Sequence, residues 1–156
     1  MNTLAQTLET DWTEPVAAAA AERKIVAAVF PEYRPDLARN LAHRLGYAFH
    51  DFRREVMQGY GWEAGALPLE QLTLEIQEHS RQGGVVVFNV EALLAAKPDA
   101  ERRAWLRTLA REPWPHPVVL CIVLFPQVVL ETPGIATVEL DRETLPQPTL
   151  LARLLR

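Results

Sequence analysis

The polar run best placed to do chemistry is His50-Asp51-Phe52-Arg53-Arg54. A histidine beside a carboxylate can exchange a proton near neutral pH. The two arginines add forked donors suited to phosphate or carboxylate. Adjacent residues on a strand point to opposite faces, so His50 and Asp51 need not meet. The plainer reading is a solvated strand end. A second basic feature is Arg103, Arg107 and Arg111, whose spacing lines them along one helical stripe. Such a stripe could meet phosphates or an acidic partner. Trp105, Leu106, Leu109 and Ala110 fall on the other side, so it is equally the wet face of an amphipathic helix. Arg102 falls within the apolar arc, where it must snorkel, pair or meet a partner.

Other chemistry is not written here. His43, His50, His79 and His116 show no metal-ligand spacing, and His79 projects near the Leu72–Ile76 face as a border residue of the core. Cys121 sits in an apolar run and reads as a buried thiol, not a nucleophile. Nothing resembles a Ser-His-Asp elbow or a zinc motif. The reading therefore names no catalytic residue, no metal and no cofactor.

The elements that must position these groups alternate between strand and helix. Lys24–Phe30 is a short apolar run typical of a buried parallel strand. Helix follows from about Asp36 to Leu45, stopped by Gly46. Tyr47–Phe52 reads as a second strand. Gly59, Gly61 and Gly65 mark an irregular stretch before a helix from about Leu69 to Arg81. Val85–Phe88 is a third strand, Pro98–Arg111 a helix, Val118–Phe125 a fourth strand and Ile135–Asp141 a weaker fifth. This order predicts an α/β protein: one three-layer domain over residues 24–156 with a mainly parallel sheet of about five strands. Residues 1–23 read as an N-terminal helical arm, with Pro15 in the first turn of its helix. Residues 149–156 could close the chain with a short helix.

In such folds ligands sit beyond the carboxyl ends of the strands. A P-loop NTPase would carry G-x-x-x-x-G-K-[ST] after its first strand, cradling phosphate on backbone amides. Here Phe30–Leu37 reads F-P-E-Y-R-P-D-L. Pro31 and Pro35 each remove an amide donor, and no glycine permits positive φ. Glu32 and Asp36 would repel a triphosphate, with Asp36 about where the lysine belongs; Tyr33 and Arg34 complete a poor cradle. Val85-Val86-Val87-Phe88-Asn89 has the pattern of a Walker B strand with Asn89 in place of the acid. Glu91, two residues on, could partly replace it as a magnesium ligand. The layout is P-loop NTPase-like. On the first strand and helix, the VVVFNVEALL segment at 85–94 and the strand ending Leu124-Phe125-Pro126, it resembles the small P-loop protein BrxF of type-three BREX phage-defence systems. The comparison covers most of residues 24–141. That family keeps a working Walker A, which residues 30–37 do not match, so its ATP-linked role does not transfer. Topology admits AAA+ and nucleotide-kinase domains as more distant comparisons.

Composition narrows the partners. A net charge of −4 argues against wholesale attraction to nucleic acid or anionic lipid. The longest apolar stretch, Val118–Phe125, is too short to span a bilayer, and Met1–Asp11 lacks the basic and apolar blocks of a signal peptide. One cysteine fits a reducing cytoplasm. Leu74 opposite the buried stripe of its helix, with Trp12, Trp62 and Trp114 outside periodic core positions, suggests a protein partner or a homo-oligomer; a lone domain that folds its loops onto the tryptophan rings is an equal alternative for them. The expectation is a non-catalytic P-loop-like subunit acting as an adaptor or scaffold in a multiprotein assembly, with phage defence as the setting that the resemblance implies. The alternatives are a small kinase- or transferase-like enzyme with a phosphate site moved to Arg53, Arg54 or Arg102 with Asp51, and an accessory subunit that touches nucleic acid.

Overall fold

The apolar runs read as strands do assemble into one sheet. In a computed structural model that describes residues 11–148, five parallel strands run in the order β2-β3-β4-β1-β5. They are β1 Ile25–Val29, β2 Ala48–Asp51, β3 Val85–Phe88, β4 Val118–Ile122 and β5 Ala136–Glu139. The central strands are apolar at every position because both faces are covered. Ala27 pairs with Leu120 and Ala28 with Cys121, so successive residues feed opposite faces of one register.

Helices fill both layers. On one face lie α1 (Glu14–Glu22) and α2 (Pro35–Leu45), which bury Trp12, Val16, Leu37 and Leu41 against Val26, Ala28, Val119 and Cys121. The arm helix is thus docked against the sheet, while residues 1–10 of the arm and the closing helix expected at 149–156 lie outside the described residues. α2 begins on Pro35 and ends on Gly46, whose left-handed φ of 71° lets its amide reach the carbonyls of Ala42 and His43. The other face holds α3 (Phe52–Glu55), α4 (Leu69–Gln82), α5 (Val90–Leu94), α6 (Asp99–Arg111) and α7 (Pro126–Leu130). Their apolar sides, including Leu72, Ile76, Leu93, Leu106 and Leu109, pack on Ile25, Ala27, Val85, Val87 and Leu120. Between α3 and α4 the glycine-rich segment forms a 3-10 stretch, Met57–Ala66, broken at Gly61.

Two boundaries differ from the sequence reading. Phe52 turns inward as the first residue of α3 and does not extend β2, because the Asp51 side chain caps the new helix at the Arg54 amide. β4 stops at Ile122, not Phe125, since residues 123–125 turn their amides onto Glu91.

The topology opens one crevice. β1 leaves toward α2 on one face, whereas its neighbour β4 leaves toward α7 on the other. Loops that part in this way make the strand-end opening where α/β proteins bind ligands. No helix among the described residues is long and apolar enough to cross a membrane.

Candidate functional site

The crevice at the strand ends is built from the turn after β1, the tip of β3 and the turn after β4. In the first turn Arg34 is buried, only 4% exposed. Its Nε and Nη2 donate to the two Asp36 carboxylate oxygens at 3.0 and 2.9 Å, and Nη2 also donates to the Pro146 carbonyl at 2.9 Å. Nη1 lies 3.8 Å from Glu32. This guanidinium first, then the backbone amides of Leu37 and Asp36 itself, holds the Asp36 carboxyl below the ordinary carboxylate range. Arg34 thus offsets one of the two negative charges of the turn, which still carries a net charge of about −1, and it ties Asp36 down at the first turn of α2.

Asn89 at the tip of β3 has φ 65°, the one positive value among the described non-glycine residues. Asparagine tolerates that conformation better than most side chains. Its Nδ2 donates to Asp51 Oδ1 at 2.9 Å, which links the ends of β3 and β2.

Glu91 is not the spare magnesium ligand that its position implied. Its carboxylate is buried and accepts the amides of Val123, Leu124 and Phe125 at 2.6, 2.7 and 2.7 Å. Burial pushes this carboxyl up and the three amides pull it back. Three consecutive amide donors are what a phosphate oxygen would seek, and an internal carboxylate already holds them.

Two cavities open here. One of about 330 Å³ lies beside the first turn, lined by Pro31, Glu32, Arg34, Arg142 and Pro146. The other, of about 190 Å³, is lined by Tyr33, Arg53, Phe88, Asn89, Glu91 and Leu124. Ligand pockets usually enclose about 300–1,000 Å³, so only the first reaches that range. Tyr33 leans across the smaller one onto Phe88, with ring centroids 5.2 Å apart.

Two of the candidate arginines are paired within the chain. Arg102 donates through Nη1 to the carbonyls of Leu94 and Lys97, lies 3.5 Å from Asp99 and stacks its guanidinium 4.4 Å over Phe125. That resolves its place in the apolar arc by internal pairing. Arg103 bridges Asp99 at 2.7 Å and Glu131 at 2.5 Å, while Arg107 and Arg111 are exposed. Arg53 and Arg54 are exposed on α3, and Arg53 lines the 190 Å³ cavity.

His50 departs most from expectation. It is not a solvated strand end but 1% exposed, because α4 covers that face of β2. His79, on α4, stacks against it with ring centroids 4.3 Å apart. Glu55 lies 2.9 Å from Nδ1 and Glu75 3.9 Å from Nε2. Burial pushes the imidazole below its usual range, with Glu55 opposing. Ligand atoms of His50, Glu75 and His79 all lie within 4.8 Å of one another. Residues with no metal-ligand spacing along the sequence are thus brought together in space. Glu75 and His79, one helical turn apart, were the available signal, but their strand partner needs the packing of α4 on β2.

Of the apolar candidates, Trp62 is 99% and Leu74 58% exposed, whereas Trp12 and Trp114 are buried. The Trp114 indole donates to the Leu109 carbonyl at 2.9 Å. Leu74 borders a groove between α4 and α6, of about 740 Å³, with Ala66, Pro68, Ala104 and Trp105.

No protein-family model matches the chain, and no curated protein matches it either.

Proposed function

We propose that the chain is a non-catalytic subunit on a P-loop-like scaffold, which has lost nucleotide binding and serves as an adaptor in a multiprotein assembly. The observation that carries this reading is the head of α2. There Pro35 removes an amide, and Asp36, paired with Arg34, sets a carboxylate in the first turn of α2, the end at which a helix would otherwise receive a phosphate. The Glu91 carboxylate on the turn after β4 supports the same conclusion from the neighbouring strand. A scaffold that fills this nest of amides with its own carboxylate and sets another at the head of α2 is suited to holding shape. Exposed Trp62 and Leu74 supply apolar surface for a protein partner or a second copy. Cytoplasmic residence belongs to this reading, and a single buried free cysteine, with no disulfide to maintain, is compatible with a reducing compartment. A place in phage defence rests on the resemblance to the BREX protein alone.

Calorimetry with magnesium and ATP or GTP tests the first half. No saturable heat is expected at high micromolar nucleotide. Saturable binding that is lost on substitution within residues 31–37 would overturn the proposal. For the second half, purification from the host cell should return a stoichiometric partner or a second copy, lost with Trp62→Asp or Leu74→Asp. A monomer that retains nothing would sink the adaptor role.

A further inference from the structure

Buried ring nitrogens normally have partners. His50 has no hydrogen bond at either Nδ1 or Nε2, although its side chain is only 2% exposed. The Glu55 carboxylate at 2.9 Å from Nδ1 is out of line for a hydrogen bond, yet its charge favours the tautomer with the proton on that nitrogen. The Nε2 lone pair then faces Glu75 Oε2 at 3.9 Å. That gap is too wide for a hydrogen bond. Two electron-rich atoms at this distance repel unless a proton, a bridging water or a metal cation stands between them. His79 completes the group from the next turn of α4. The other Glu75 oxygen is positioned by Gln71 Nε2 at 3.5 Å, leaving Oε2 for a ligand.

We propose that His50, Glu75 and His79 bind one divalent transition-metal ion of the zinc type, with Glu55 as the outer partner that orients His50. Two imidazoles and a carboxylate suit zinc, and disfavour magnesium and calcium, which prefer all-oxygen sets. A three-ligand set leaves a fourth position for water. Ligand atoms on one zinc ion stand about 3.3 Å apart when each bond is about 2.0–2.1 Å. The group, now within 4.8 Å, needs a modest contraction. Glu75 and His79 are half-buried and can swing, whereas His50 is fixed in the strand. A carboxylate behind a ligating histidine is the usual outer arrangement in zinc sites. The ion would tie β2, which among the described residues pairs only with β3, directly to α4. None of these residues belongs to the Arg34–Asp36 turn or the Glu91 nest, so the site stands independently of the adaptor reading.

The test uses the full chain stripped with a chelator and then titrated with Zn²⁺, Co²⁺ and Mg²⁺. One equivalent of Zn²⁺ or Co²⁺ should bind, the cobalt form showing the intense visible absorption of low-coordinate Co²⁺, and Mg²⁺ should give no response. His79→Ala and Glu75→Gln should each weaken Zn²⁺ binding at least about tenfold while circular dichroism stays unchanged. His43→Ala, at an exposed histidine elsewhere, should leave affinity unaltered. Failure of the wild type to take up Zn²⁺ or Co²⁺ at micromolar metal would overturn the site. Wild-type affinity in folded His79→Ala would do the same. If His79→Ala does not fold, Glu75→Gln and the wild-type cobalt spectrum decide the matter.

Discussion

Asn89 Nδ2 donates to Asp51 Oδ1 at 2.9 Å, so the polar residue at the tip of β3 is a hydrogen-bond donor to the neighbouring strand. An aspartate at position 89 would bring two carboxylates together and lose the bond. Asn89→Asp is therefore expected to destabilise the fold by about 1–3 kcal/mol in urea unfolding. It should not create magnesium binding. Asn89→Gly keeps the left-handed backbone and loses only the donor, so it should cost less. Equal stability of Asn89→Asp and wild type would show that the link is incidental.

Glu91 satisfies three backbone amides at once. Glu91→Ala would leave these donors unpaired beside a buried space, at an expected cost of about 3–5 kcal/mol. Acetate or phosphate entering the vacated nest should recover part of the loss, read as a concentration-dependent rise in Tm beyond that of wild type. A loss under about 1 kcal/mol would mean that water replaces the carboxylate freely.

These two residues also show what the sequence could and could not convey. The valine-rich run ending in Asn89 was legible as a central strand, because burial on both faces leaves no polar position inside it. The alternation of runs and amphipathic segments likewise announced a parallel sheet. Strand order was not legible, since β1 pairs with β4 and β5 through contacts distant in sequence. For the same reason Glu91 read as a free acid when its partners lie at 123–125, and Arg34 read as a bystander when it organises Asp36 and the Pro146 carbonyl. His50 illustrates the limit most clearly. Its polarity suggested solvent, and only the docking of α4 over β2 shows it buried beside His79.

The Arg34–Asp36 pair carries a pH signature with a definite sign. Asp36 titrates below its ordinary value of 3.8, chiefly through the guanidinium hydrogen bonds. The folded chain therefore binds this proton less readily than the unfolded chain. The stabilisation is fully present above about pH 3.8 and fades as pH falls through the lower folded value. Asp36→Asn should lower stability at neutral pH and flatten this part of the acid limb. Curves for the two proteins that run parallel from pH 5 to pH 2 would refute the assignment.

Gly84 abuts the Tyr47 ring where α4 gives way to β3. A Cβ placed there would meet Tyr47 Cδ1 at 2.4 Å and Cγ at 2.7 Å. Because Cγ is the root of the ring, rotation of the tip alone cannot relieve the overlap, and the whole side chain must leave its place on the sheet. Gly84→Ala is accordingly expected to cost about 1–3 kcal/mol, despite the usual entropic gain from replacing glycine. Removing the ring in a Tyr47→Ala background should make the same substitution nearly neutral. A double-mutant cycle by denaturant unfolding measures that coupling, and additive effects of the two changes would place the obstruction elsewhere.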